Sequence, residues 1–132
     1  MGTNKKKIAI FAAGTGGHVY PGLSIAKELM NKDISILWIG TKNGIEKKIL
    51  EDTNIPIKCI NFSGIRGNGL IAYIKLPIKL LVAIFQAIII LREYKANAVL
   101  SMGGYISFPC SIASFFLRIP IIIHEQNIIF GM

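Results

Sequence analysis

The sequence predicts an α/β fold, a parallel β-sheet doubly wound by helices on both faces. Short apolar runs rich in β-branched residues alternate along the chain with longer segments of helical character, and this alternation is typical of parallel sheets covered on both sides. The 132 residues are 52% hydrophobic, which is enough for the core of one domain, and they contain no internal repeat or domain linker. Right-handed crossovers then favour a five-stranded sheet in the order 3-2-1-4-5.

The first half of the chain contains three predicted strands. Residues 8–12 form a continuous apolar run that ends at a glycine-rich loop, so we predict a buried strand there and a helix over Pro21–Asn31. Ser35–Ile39 and Ile57–Phe62 are similar short apolar runs and are predicted as strands two and three. The segment between them, Gly44–Asp52, is predicted to be helical.

The second half continues the pattern with two helices and two strands. After a polar, glycine-rich connector, the predicted elements are a helix over Leu70–Tyr94, a strand over Ala98–Ser101, a helix over Pro109–Leu117 and a strand over Pro120–His124. No closing helix follows the fifth strand. We therefore expect residues 1–132 to be an N-terminal fragment or a subunit that needs a partner.

The charge distribution favours an anionic partner. The formal net charge is +8, and no Asp or Glu occurs between Asp52 and Glu93. The basic residues there are surrounded by Ile and Leu rather than by exposed aromatics, which favours a membrane surface over nucleic acid. These basic residues are Lys58, Arg66, Lys75, Lys79 and Arg92.

The apolar run Leu80–Leu91 is the most hydrophobic part of the chain. As a helix it would span about 18 Å, short of the ~30 Å hydrocarbon core, so we do not expect it to cross a bilayer. One interpretation is a buried crossover helix. The other is a helix whose first turns contact an anionic membrane, through Ile71, Ile74, Lys75, Ile78 and Lys79.

A glycine-rich loop, Gly14–Gly17, follows the first strand. Glycines let backbone N–H groups approach a ligand closely, and the start of the next helix favours anions, so the loop suits a phosphate or diphosphate. It is not the dinucleotide fingerprint, because Val19 stands where the third glycine belongs. The end of strand two reads Gly40-Thr41-Lys42 and offers no Asp or Glu that would bind a ribose.

Three further features lie near the ends of predicted strands. His18 is either a polar residue near a helix start or a general base beside an anion site. A second glycine loop, Met102–Tyr105, follows strand four, and His124–Asn127 follows strand five, where open sheets place ligand contacts. His124 alone is also compatible with a hydrogen bond inside the core.

Cys59 and Cys110 lack metal-ligand spacing, and we predict ordinary buried thiols and no metal or cofactor.

Taken together, four motifs resemble one family of enzymes. AAGTGGHVYPGL, FSGIRGNG, SMGGYISFP and HEQN occur in the order and spacing of the N-terminal domain of the MurG family, bacterial UDP-N-acetylglucosamine transferases of peptidoglycan synthesis. The resemblance covers essentially the whole chain. It implies the Rossmann-like N-terminal half of a GT-B inverting glycosyltransferase whose C-terminal, donor-binding domain is absent, so that residues 1–132 alone should not turn over. Phe108 departs from the family pattern, which has a small residue there.

The resemblance also implies substrates, site residues and a location. The family moves N-acetylglucosamine from UDP-N-acetylglucosamine to the C4 hydroxyl of an undecaprenyl-diphosphate-linked N-acetylmuramoyl-pentapeptide, at the cytoplasmic face of the inner membrane, where it is peripheral. His18 matches the family's candidate general base. The matching substrate-binding positions are Thr15, Gly16, Gly17, Gly103, Gly104, Tyr105 and Asn127, with Glu125 a nearby polar group of unassigned role.

Two other functions stay open on the sequence. The chain could be a separate membrane-associated acceptor or scaffold subunit that recruits a donor-binding partner. A generic nucleotide-binding module is the third hypothesis, and it would need an acidic ribose contact.

Overall fold

The protein is described by a computed structural model that covers residues 5–13, 16–41, 44–61, 69–103 and 106–124, with residues 16–18, 69 and 71–73 described by their backbone. Within these ranges the elements are β1 (Lys7–Phe11), α1 (Gly16–Asn31), β2 (Ser35–Thr41), α2 (Glu46–Leu50), β3 (Ile57–Ile60), α3 (Gly69–Tyr94), β4 (Ala98–Ser101), α4 (Ser107–Phe116) and β5 (Ile121–Ile123).

The five strands form one parallel sheet in the order β3-β2-β1-β4-β5. This confirms the predicted fold class and strand order. Apolar residues on the two faces of the sheet form separate clusters, one packed against α3 and α4 and the other against α1. The sheet is therefore covered on both sides, and its central strand β1 is almost entirely buried.

Helix α1 begins at Gly16, five residues before the predicted start at Pro21. Proline is favoured in the first turn of a helix and disfavoured further in. In the structure Pro21 lies inside the helix, and it has no N–H to donate to the carbonyl of Gly17, four residues earlier. The glycine loop itself thus supplies the first helical turn.

Helix α3 is both long and apolar, and it packs on the sheet. By length and composition alone its segment Ile74–Tyr94, 21 residues with a mean hydropathy of 2.2, could span a membrane. In this fold, however, Ala83, Ala87 and Leu91 are fully buried against the sheet. Membrane insertion would empty that part of the core, so the packing identifies α3 as the crossover helix between β3 and β4.

A polar side chain also fixes α3 to the sheet. Gln86 is the one polar residue in the run Leu80–Leu91, and its Oε1 accepts a hydrogen bond of 2.7 Å from the backbone N–H of Asn61, directly after β3. The bond explains why a glutamine is placed among isoleucines and leucines.

Candidate functional site

The carboxyl ends of β1 and β4 lie side by side at one edge of the sheet. Phe11 pairs with Ser101, and the N–H of Met102 donates to the carbonyl of Phe11 at 3.0 Å. The two glycine loops predicted from the sequence therefore start from adjacent strand ends, as the strand order required. Thr15, Gly104 and Tyr105 lie outside the described residues.

The first turn of α1 contains Gly16, Gly17 and His18. The first N–H groups of a helix have no partner within the helix, and they carry its positive dipole end, so this turn can bind an anion. It holds no acidic residue that would compete. The backbone of His18 is in the first turn, as a base beside an anion site requires, while the position of its imidazole lies outside the description.

Gly103 adopts a left-handed conformation with φ of 93° and is buried. Residues with a Cβ rarely take this conformation, so the turn into the second glycine loop requires glycine at this position. Phe108, which departs from the family pattern, lies in the first turn of α4 and is 58% exposed.

His124 lies at the end of β5, next to β4. Its backbone N–H donates to the carbonyl of Ser101 at 2.8 Å, which places it beside the strand that leads into the second glycine loop. Its Nδ1 is buried and has no hydrogen-bond partner among the described residues. The alternative of a hydrogen bond inside the core is therefore not met at Nδ1 by any described residue. Glu125, Gln126 and Asn127 lie outside the described residues.

One buried carboxylate contacts the end of β2, although no acidic residue directly follows this strand in the sequence. Glu46, in the first turn of α2, is fully buried, and its Oε2 accepts hydrogen bonds from Thr41, 2.6 Å from the backbone N and 3.1 Å from Oγ1. Inspection of Gly40-Thr41-Lys42 missed it because the carboxylate folds back from five residues downstream. A Cβ at Gly40 or Gly44 would collide with the Glu46 side chain. The two glycines were therefore the sequence feature that could have indicated a buried side chain here.

The outer face of α3 exposes the residues predicted to contact a membrane. Ile74 and Ile78 are 63% and 65% exposed, and Lys75 and Lys79 are exposed beside them. The side chain of Ile71 lies outside the description. We call these four described residues the α3 outer face.

The exposed apolar surface extends beyond the α3 outer face. Of its large members the sequence indicated only Leu81, because periodicity does not tell which stripe of an apolar helix faces the core. Its large members are Leu81, Val82, Phe85 and Ile89 of α3 and Phe108, Phe115 and Phe116 of α4. Helices α3 and α4 pack side by side on one face of the sheet.

The prediction of two buried thiols is confirmed for Cys110 and wrong for Cys59. Cys110 is buried, and burial raises the pKa of its thiol, whereas Cys59 is only partly buried. Across the described part of the chain, no group of three or more His, Cys, Asp or Glu side chains is arranged to hold a metal ion.

Comparison with known proteins identifies relatives over nearly the whole chain. UDP-N-acetylglucosamine--N-acetylmuramyl-(pentapeptide) pyrophosphoryl-undecaprenol N-acetylglucosamine transferases of Haemophilus ducreyi and Buchnera aphidicola are 46% and 47% identical over 127 residues, 96% of this chain. The chain spans only 36% of each of these relatives.

Solved structures agree with the sequence comparison. The crystal structure of Acinetobacter baumannii MurG matches 92% of this chain, and 35% of its own, with a TM-score of 0.81 and 43% identity. A glycosyltransferase from Rickettsia africae, 19% identical with a TM-score of 0.67, shares the fold. The model of the glycosyltransferase family 28 N-terminal domain matches residues 8–132. The chain belongs to glycosyltransferase family 28, of which it contains the N-terminal domain.

Proposed function

We propose that this chain is the acceptor-binding half of an inverting N-acetylglucosaminyltransferase. The acceptor is the C4 hydroxyl of undecaprenyl-diphosphate-linked N-acetylmuramoyl-pentapeptide, and the donor is UDP-N-acetylglucosamine. The observation that carries the proposal is the adjacency of the two glycine-loop starts at the end of β1 and β4, with α1 opening at Gly16, in a chain whose relatives bear this transferase name.

The first turn of α1 is proposed to bind a diphosphate. Its N–H groups and helix dipole favour negative charge, and Gly16 and Gly17 have no side chain to keep a phosphate at a distance. Thr15 would add a hydroxyl donor. The second glycine loop would contact the acceptor through Gly103, Gly104 and Tyr105. Asn127 would contact a sugar hydroxyl, and Glu125 would be a nearby polar group of the site.

His18 is proposed as the general base. A neutral imidazole accepts the proton of the C4 hydroxyl while that oxygen bonds to the anomeric carbon of the donor sugar. The bond from this carbon to the UDP oxygen breaks, UDP leaves with the electron pair, and the configuration inverts. No metal ion or cofactor takes part in this proposal.

A chimeric protein tests the reaction. Residues 1–132 replace the matching residues of the Acinetobacter baumannii relative, to which they are 43% identical over 126 residues, and transfer of labelled N-acetylglucosamine to the lipid acceptor is measured. We expect transfer, and a loss of about 100-fold or more in kcat for His18→Ala with both KM values nearly unchanged.

The control for this variant is Glu28→Ala, an exposed position further along α1, which should leave kcat within twofold. An inactive chimera that still binds the lipid acceptor would favour the scaffold-subunit alternative. Unaffected turnover in His18→Ala would remove the base assignment.

The α3 outer face is proposed to bind the anionic cytoplasmic surface of the membrane, which would make the protein peripheral there. Exposed isoleucines can enter the headgroup boundary while lysines meet anionic lipids, each lysine contributing about 1 kcal/mol. Flotation with vesicles of phosphatidylcholine, with or without phosphatidylglycerol, tests this. Lys75→Glu/Lys79→Glu should abolish the gain in binding that the anionic lipid provides.

A charge-matched control uses the opposite face of the sheet. Lys27→Glu/Lys32→Glu changes the net charge by the same amount at exposed positions on and just after α1, so it should bind anionic vesicles far better than the α3 variant. Equal losses for the two variants would show that binding follows net charge and would refute a specific contact face.

A further inference from the structure

The single tryptophan of the chain lies at the base of both glycine loops. Trp38, in β2, is fully buried, and its indole Nε1 donates a hydrogen bond of 2.9 Å to the carbonyl of Ala12. Ala12 directly follows β1, two residues before the first glycine loop begins. A side chain from the neighbouring strand therefore holds the backbone at the point where the chain leaves the sheet.

The same indole sets how closely α1 approaches the sheet. A Cβ built on Gly22 of α1 would lie 2.9 Å from Cη2 of Trp38 and 3.2 Å from Cγ of Met102. Helix α1 thus contacts the side chains of Trp38 and Met102 at Gly22, where there is no room for a Cβ. Gly22 is four residues, about one turn, after His18.

Met102 connects this contact to the second glycine loop, of which it is the first residue. Its N–H is bonded to the carbonyl of Phe11, and its side chain is buried against α1. One buried contact group, formed by Trp38, Gly22 and Met102, therefore lies beneath the start of both loops and the helix that carries His18.

We propose that Trp38 is a positioning residue, which holds the first glycine loop, helix α1 and the start of the second loop at fixed distances from one another. Its kinetic consequence rests on the proposed transferase function. Displacements of about 1 Å in a reacting pair can cost about 100-fold in rate. Loss of the indole contacts should therefore lower kcat by more than the accompanying decrease in folded protein accounts for.

An isosteric replacement isolates the hydrogen bond. Benzothienylalanine at position 38 keeps the size of the indole but replaces its N–H by sulfur. The matched control is Tyr94→Phe, which removes the hydrogen bond of 2.6 Å between the hydroxyls of Tyr94 and Ser35, at the opposite, amino-terminal edge of the sheet.

Hydrogen exchange on the 132-residue chain tests the positioning role without any assumption about catalysis. The replacement at position 38 should increase amide exchange at least tenfold in residues 12–23, and Tyr94→Phe should not. Unchanged exchange in this segment, or an equal increase throughout the chain with both variants, would overturn the positioning role.

Kinetics in the chimeric protein test the consequence for the reaction. We expect Gly22→Ala to lower kcat at least tenfold, because the new Cβ pushes α1 away from Cη2 of Trp38. Trp38→Phe removes that atom, so the double variant should lose less activity than the two single losses combined. Additive losses in the double variant would refute the positioning role, whereas an inactive unsubstituted chimera would refute the proposed function and leave the exchange result to decide the role of Trp38.

Discussion

Replacing Glu46 by alanine should destabilise the protein through the end of β2. The carboxylate accepts two hydrogen bonds from Thr41, and both residues are buried, at 0% and 4% exposure. Alanine would leave the N–H of Thr41 without this acceptor in a place that water does not reach. The loop that follows β2 would lose its anchor to α2.

The size of this effect follows from the two bonds. A hydrogen bond to a charged group contributes about 1.5–3 kcal/mol, and a buried donor left unpaired costs about 1–3 kcal/mol. Relief of the buried charge offsets part of this, so we expect the free energy of unfolding to fall by about 3 kcal/mol. For a chain of 132 residues, this corresponds to a Tm lower by roughly 10 °C.

Gly40 provides a second way to displace the same carboxylate. A Cβ at position 40 would lie 2.6 Å from Oε2 and 2.7 Å from Cγ of Glu46, so Gly40→Ala must push the side chain out of its place. The cost should therefore be similar to that of Glu46→Ala. In the double variant Gly40→Ala/Glu46→Ala the collision is gone. We therefore expect its loss of stability to be about 2 kcal/mol smaller than the sum of the two single losses.

Urea unfolding followed by circular dichroism measures all three free energies. Glu51→Ala, an exposed position just after α2, serves as the control and should change stability by less than about 0.5 kcal/mol. Additive costs in the double variant, or a loss below about 1 kcal/mol for Glu46→Ala, would refute the anchoring role.

Three further predictions concern the backbone and the thiols. Lys95 follows α3 with φ of 62°, a helix-terminal conformation that favours glycine. Lys95→Gly should therefore raise the free energy of unfolding by about 0.5–1 kcal/mol in thermal melts. As a control, Lys27→Gly inside α1 should lower it by about 1 kcal/mol. Gly103→Ala forces a Cβ onto a φ of 93° and should lower the stability by about 1–3 kcal/mol; an unchanged melting temperature would contradict the strain argument. Cys110, whose buried thiol has a raised pKa, should resist a thiol reagent at pH 8 until urea is added, as read by mass spectrometry, and modification as fast as at Cys59 would contradict its burial.

Strand positions could be predicted because they depend on local patterns. Ala98–Ser101 was predicted at its observed bounds, and the strand order followed from right-handed crossovers. The start of α1 could not be predicted, because Gly16, Gly17 and Pro21 are disfavoured by helix propensity, a weak preference that tertiary structure overrides. Glu46 was missed for a related reason, since its partner is a backbone N–H five residues away that only the folded loop brings near.

The two interpretations offered for α3 are not alternatives, because they describe different stripes of one helix. The inner stripe contains small residues, Ala83 and Ala87, whereas large residues such as Ile78 and Phe85 are exposed. Small inner residues let the helix approach the sheet closely, and the large outer residues remain available to an apolar environment.

The direction of α3 relates its outer face to the proposed reaction. In a parallel crossover the helix starts at the carboxyl edge of the sheet and runs back along it, so α3 starts at the edge from which both glycine loops leave. At 1.5 Å per residue, Ile74 to Lys79 lie within about 15 Å of that edge along the helix. A membrane bound by this face would lie near the edge of the sheet at which α1 also starts, so in the proposed function membrane binding and acceptor binding should be coupled. Lys75→Glu/Lys79→Glu should therefore raise the KM for the acceptor in vesicles and leave the KM for a short-chain, detergent-soluble acceptor unchanged, and an equal rise for both acceptors would refute the coupling.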